Sequence, residues 1–213
     1  DRINATTSKH IVTIEDPVEF IHRPKLSFLS QRAVGYDTES IAAALRSAIR
    51  QDADVILVGE LRDLETISLA LKAAEMGILV FGTLHTNSAA KTIDRLIDVF
   101  PTEEQSQARI SLSESLAAIV AQQLIPRADG TGRIAALEIL LRTPGLPNII
   151  REGSVSRLIT MMQGGKGLGM QTLDDALATL VVQGAIEAHE AQTRAQDRAR
   201  LDKLIQDGRE QSQ

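Results

Sequence analysis

Two continuous apolar runs, residues 54–59 (DVILVG) and 78–84 (ILVFGTL), flank a stretch whose apolar residues recur at helical spacing. A strand apolar at successive positions must be covered on both faces, the condition of a parallel strand inside an α/β sheet. The intervening helix has Asp63 as its cap, Ile67, Ala70, Leu71 and Ala74 as its buried stripe, and Gly77 as its end. Residues 10–14 (HIVTI) read as another buried strand, and residues 26–29 as a further candidate. From Ile41, a second helical stripe runs through Ala44, Leu45, Ala48 and Ile49, with Thr38 or Ser40 as cap. Ser88 caps a third, carrying Ile93, Leu96 and Ile97 and closed by Pro101. Strand and helix alternate, so the fold class is α/β rather than a bundle or sandwich. Aromatics are only 2% of the chain, so its core must be built from Ile, Leu, Val and Ala.

Further along, the pattern predicts a long helix over about 103–124, then a hairpin of two short strands around residues 128–132 (ADGTG). Beyond Pro144 it predicts short helices, one with Leu173, Leu177, Leu180 and Val181 as its apolar face. From Glu187 onward a mostly polar exposed helix and a loose end are expected. Residues 1–4 (DRIN) open no signal peptide. No apolar run approaches the roughly 20 residues that span a bilayer, so any membrane association must come through a partner. The absence of cysteine excludes disulfides and thiolate metal sites, and fits a reducing compartment. A net charge of −5 argues against a general nucleic-acid binder, which needs a dominant basic surface.

Ligand sites in open α/β sheets lie beyond the carboxyl ends of the strands. Three polar clusters fall there: Glu15-Asp16, residues 60–63 (ELRD) and His85-Thr86-Asn87. An apolar strand ending in acid, as in DVILVGE, is how phosphate-loop motors place a carboxylate beside Mg²⁺ and the attacking water, which singles out Glu60. Solubility alone also puts acids at strand ends. Glu15, Asp16 and Glu19 crowd three carboxylates into a short segment, which suits a cation, or simply a capped turn before Pro17. His85, followed by Thr86 and Asn87, suits a polar sensor of phosphate, and nothing nearby completes a zinc site. Arg62, Arg46 and Arg50 are placed to pair with these acids or to reach phosphate. Gly164, Gly165, Gly167 and Gly169 lack the preceding strand and the Gly-Lys-Ser/Thr ending of a phosphate loop, so they read as a hinge or tight turn.

Residues 13–20 (TIEDPVEF) resemble the Asp box of secretion and pilus motor ATPases, 54–67 (DVILVGELRDLETI) their Walker B region, and 82–101 (GTLHTNSAAKTIDRLIDVFP) their His box. The boxes follow in family order, and the similarity continues through residues 112–116 and 169–174. Within this superfamily the chain most resembles the type IV pilus retraction ATPases (the PilT family). Extension and type II secretion ATPases usually carry a four-cysteine zinc module that is absent here. An accessory retraction ATPase, another type II/IV secretion ATPase and a non-catalytic interaction module are the rival readings.

The resemblance implies a RecA-like P-loop core over 1–142 and a helical C-terminal region over 143–213, with ATP and Mg²⁺ bound. It assigns catalysis to Glu15, Asp16, Glu19, Glu60 and His85, with His85 sensing the γ-phosphate. Arg62 and Thr86 would contact nucleotide, while Glu15, Asp16 and Glu60 would hold Mg²⁺, directly or through water. Residues 158–165 (LITMMQGG) lie where the family has a motif needed for retraction. It also implies a homo-hexamer that is cytoplasmic and peripheral at the inner membrane, pulling on pilin indirectly through a platform protein, with neither nucleic-acid binding nor membrane insertion. Two departures stand out. The family's Walker A loop and PAS-like domain are expected before Asp1, so these 213 residues alone are expected to bind ATP poorly. Ala33 occupies a position where the family usually has glutamate.

Overall fold

The alternation of apolar strand and amphipathic helix produces a four-stranded parallel sheet. The structure, a computed structural model, describes residues 1–210. The chain divides into two compact units: Asp1–His85 with Leu96–Ser115, and Thr86–Arg95 with Leu116–Gln213.

In the first unit, helix α1 (Arg2–Thr6) precedes β1 (His10–Glu15) and β2 (Phe28–Ala33). Helix α2 (Ile41–Ala48), β3 (Val55–Val58), α3 (Leu64–Glu75) and β4 (Leu79–Gly82) follow. The strand order is β2-β1-β3-β4, with every pair parallel. Val12, Ile14, Ile56 and Val58 of the central strands are buried, together with Ala44, Leu45 and Ala48 of α2 and Ala70 of α3. The caps arise locally. The Ala43 N–H donates to the Ser40 hydroxyl and the Thr66 N–H to the Asp63 carboxylate. The strand expected at 26–29 begins at Phe28 instead, and Leu26 is exposed. β4, apolar as it is, forms a sheet edge, with Leu79 and Phe81 exposed.

Helix α4 (Ala89–Asp98) contains the division between the units, and α5 (Thr102–Ser115) closes the first. The helix expected to reach about residue 124 stops at Ser115, and residues 118–126 form a strand. Burial there alternates with period two: Ile119, Ala121 and Ile125 are buried while Val120, Gln122 and Leu124 are exposed. Cross-strand pairing overrides the helical preference of its Ala, Gln and Leu residues.

In the second unit, β5 (Ala118–Pro126) and β6 (Arg133–Leu141) form the antiparallel hairpin. Helices α6 (Leu146–Glu152), α7 (Val155–Gly164), α8 (Leu173–Val182), α9 (Ala188–Arg194) and α10 (Arg198–Glu210) follow. The glycine cluster is a turn: after a short 3₁₀ segment over Lys166–Leu168, Gly169 takes φ 91°, a left-handed conformation that favours glycine. The expected apolar face of α8 buries Leu173, Leu177 and Val181 against Ile125 and Ala136. The polar tail differs from expectation, because α10 buries Leu201 and Ile205 in this same core. The loose end expected at 211–213 lies outside the described residues.

Candidate functional site

The carboxyl ends of β1, β3 and β4 are fastened together around Glu60. The Gly59 N–H donates to the Ile14 carbonyl at 2.7 Å. A Cβ at Gly59 would stand 3.1 Å from that oxygen and 3.2 Å from the Glu15 Cα, so the close approach of β1 to β3 needs glycine there. On the other side, the Leu61 N–H donates to the Thr83 carbonyl at 2.9 Å, and the Thr83 hydroxyl donates to the Gly59 carbonyl. The backbone is thus held on both sides of Glu60.

The Glu60 side chain is 19% exposed and has both oxygens engaged. Arg62 Nη2 lies 2.5 Å from Oε2, and His85 Nε2 lies 3.2 Å from Oε1. The Arg62 hydrogen bond holds the Glu60 carboxyl below the usual range, against burial that pushes it up, so Glu60 is anionic at neutral pH. Arg62 is reciprocally raised by Glu60, with a smaller contribution from the charge of Asp16. Arg62 and His85 are themselves largely exposed, so both can be reached from solvent.

Glu15 Oε1 accepts the Thr13 hydroxyl at 2.6 Å and the Gln31 amide at 3.3 Å. Gln31 also donates to the Phe20 carbonyl at 2.9 Å and accepts the His22 N–H at 2.7 Å, which pins the loop that carries Asp16 and Glu19. Asp16 joins Pro17 through a cis peptide bond. Glu19 is exposed and makes no ion pair among the described residues. Thr86 belongs to the second unit, where its hydroxyl lies 2.7 Å from that of Thr92. Arg46 pairs with Glu65 on α3, and Arg50 donates to the Arg46 carbonyl at 3.3 Å. Ala33 stands in register with Glu15, so no second carboxylate sits beside it in the β1–β2 pair.

Gln31 and Thr83 were not singled out by sequence reasoning. Gln31 becomes recognisable only once β2 is registered on β1, opposite Thr13. Thr83 could have been suspected from its place in Gly-Thr-Leu-His, one residue past a strand.

Among the described residues, no group of three or more acidic or histidine side chains gathers as a metal cage. Mg²⁺ ordinarily takes one or two carboxylates, with water and phosphate oxygens completing its shell. The hard oxygen donors Glu15, Asp16 and Glu60 fit that open kind of site and do not fit a closed one.

Residues 2–213 match the family described as type II/IV secretion system protein. The twitching motility protein of Neisseria gonorrhoeae is 53% identical over 195 residues, covering 92% of this chain and 52% of that protein. The type IV pilus retraction ATPase PilT of Pseudomonas aeruginosa is 54% identical over 195 residues, covering 92% and 56%. A crystal structure of the pilus retraction motor PilT with bound ADP superposes with TM-score 0.87 at 47% identity, covering 95% of this chain and 57% of that one. The chain therefore spans about half the length of the curated relatives it matches. Among the described residues, no helix is long and apolar enough to cross a membrane.

Proposed function

This chain belongs to the type II/IV secretion system protein family, and from that premise we propose that it works in a motor ATPase subunit that couples ATP hydrolysis to pilus retraction. The observation that carries the proposal is Glu60, anionic and held between Arg62 and His85 at the strand ends. The retraction assignment draws support from the likeness to PilT, in sequence and in the ADP-bound structure.

In this reading Glu60 accepts the proton of the attacking water. Its resting partners hold it ionised, and both are donors suited to phosphate oxygens. A γ-phosphate within reach of Arg62 and His85 competes for them, and each bond it takes from Glu60 frees a carboxylate oxygen for the water. His85 thereby reports the phosphate, since its bond to Glu60 and a bond to nucleotide exclude each other at one ring nitrogen. Glu15, Asp16 and Glu60 would hold Mg²⁺ through water, and the ion supplies charge neutralisation to the phosphates. Gln31 keeps the Asp16–Glu19 loop in place, with Glu19 at its solvent side. Thr86, the other residue assigned to nucleotide in this reading, has its hydroxyl engaged by Thr92. The subunit acts in a cytoplasmic homo-hexamer that reaches pilin through an inner-membrane platform protein.

In the full-length protein, Glu60→Gln is expected to leave ATP affinity nearly unchanged and to lower kcat about a hundredfold or more, the usual worth of a general base. Phosphate release and equilibrium nucleotide binding measure the two quantities. Turnover at the wild-type rate would remove Glu60 from the mechanism.

A further inference from the structure

Glu138 is a buried carboxylate that the chemistry above leaves unused. It stands on β6 and is 2% exposed. Its two oxygens are separately committed. Oε1 accepts the Ala89 N–H, at the first residue of α4, at 2.6 Å. Oε2 accepts the Gln196 side-chain amide, in the turn between α9 and α10, at 2.9 Å. The same turn is held from α8, where the buried Asp174 accepts the N–H groups of Gln196 and Asp197 at 2.9 and 3.0 Å. One chain of bonds, buried at Glu138 and Asp174 and exposed at Gln196, thus runs from the start of α4 to α8.

A carboxyl group this buried is expensive to keep unless its bonds are all made. Ser88 also caps this helix, accepting the Lys91 N–H at 3.3 Å, so Glu138 satisfies a second free donor at the start of α4. What distinguishes α4 is the segment that enters it. His85 precedes Ala89 by four residues, and the Thr86 hydroxyl is bonded to Thr92 in the first turns of α4. The residues following the sensor are tied to the helix start, and the helix start is tied to Glu138.

We propose that Glu138 is a positioning residue for the His85 segment, which makes the setting of the sensor depend on the α8–α10 region through the Gln196 turn. The inference rests on the reading of His85 as a phosphate sensor. Glu138 touches no nucleotide and acts only through the start of α4.

The test is a double-mutant cycle in the full-length protein with Glu138→Gln and His85→Ala. Glu138→Gln keeps the volume and replaces one of the two acceptor oxygens with an amide NH₂ that cannot accept. Its kcat should fall roughly tenfold, while ATP affinity stays within about twofold and the protein remains folded at the assay temperature. The double variant should be no slower than His85→Ala alone, because an effect transmitted through His85 cannot be lost twice. Gln196→Ala, at an exposed residue, removes only the Oε2 bond and should give a smaller kcat loss with the same dependence on His85. It carries the cycle if Glu138→Gln fails to fold. Multiplying losses with a slow His85→Ala would overturn the positioning role and leave the sensor standing. A wild-type rate for His85→Ala would instead sink the sensor and the inference together. Wild-type turnover in Glu138→Gln would also end the inference.

Discussion

At the scale of single residues, the site is defined by which group keeps Glu60 charged. Arg62 contributes most to lowering its pKa, and His85 contributes less. As the general base proposed above, Glu60 must be ionised to act, so its pKa sets the acid limb of the rate profile. Arg62→Ala removes the larger lowering influence and leaves the smaller one of His85 against the burial that raises it, so the acid limb of kcat/KM should move to higher pH. Near neutral pH the rate loss should be smaller than that of Glu60→Gln, because the base itself remains. A limb that stayed in place while kcat dropped at every pH would recast Arg62 as a phosphate ligand only. High salt should shift the wild-type limb in the same direction, since the pair is partly exposed and therefore screened.

At the scale of elements, what the sequence discloses depends on how local the cause is. Strands β1 and β3 were legible because an apolar run has one compatible environment, and the caps Ser40, Asp63 and Ser88 because capping involves neighbours within three residues. The strand-end positions of Glu15-Asp16 and Glu60 were legible because they lie within two residues of the ends of β1 and β3. β5 was misread because its Ala, Gln and Leu content favours helix until β6 is present to pair with it. Leu201 and Ile205 lie one turn apart in a polar helix, so only the receiving core makes them visible. Gln31 and Glu138 act across 16 and 49 residues of sequence, beyond any local pattern. Helix α8 provides the test at this scale. Thr172 and Asp175 form a capping box, and Asp175 also meets Lys166 at 2.9 Å and Arg200 at 3.1 Å. Burial pushes the Asp175 carboxyl up, but bonds from Thr172 and Lys166 and the charge of Arg200 outweigh it, leaving the pKa below its ordinary value. A depressed folded pKa adds stability above the unfolded value near 4 and loses it as pH falls through the folded value. Asp175→Asn should therefore cost about 1–2 kcal/mol at pH 7 in urea unfolding. The difference from wild type should narrow as the pH is lowered past 4. A constant difference across that range would assign the whole effect to cap geometry rather than charge.

At the scale of the whole molecule, the two units carry separate hydrophobic cores. Val12, Ile14, Leu45, Ile56 and Val58 form a cluster in the first, and Ile125, Leu173, Leu177, Leu201 and Ile205 form one in the second. Both are aliphatic, since four of the five aromatic residues, Phe20, Phe28, Tyr36 and Phe81, are exposed. Each cluster is completed by residues of its own unit, so each should open as its own cooperative segment. Leu177→Ala, at a fully buried position, should cost about 2–5 kcal/mol within the second unit, as cavity-forming substitutions do. Hydrogen exchange should then quicken through β5, β6, α8 and α10 while β1 and β3 keep their wild-type protection. Ile56→Ala, equally buried, should give the converse pattern. The chain passes from one unit to the other at His85 and Thr86, so the amides of 83–88 are the informative ones. They should quicken in whichever variant loosens the end that holds them: Gly59 through Thr83 on one side, Glu138 through Ala89 on the other. Equal loss of protection in both units from either substitution would mean the cores unfold as one, and residues 83–88 would then join parts of a single cooperative body rather than two.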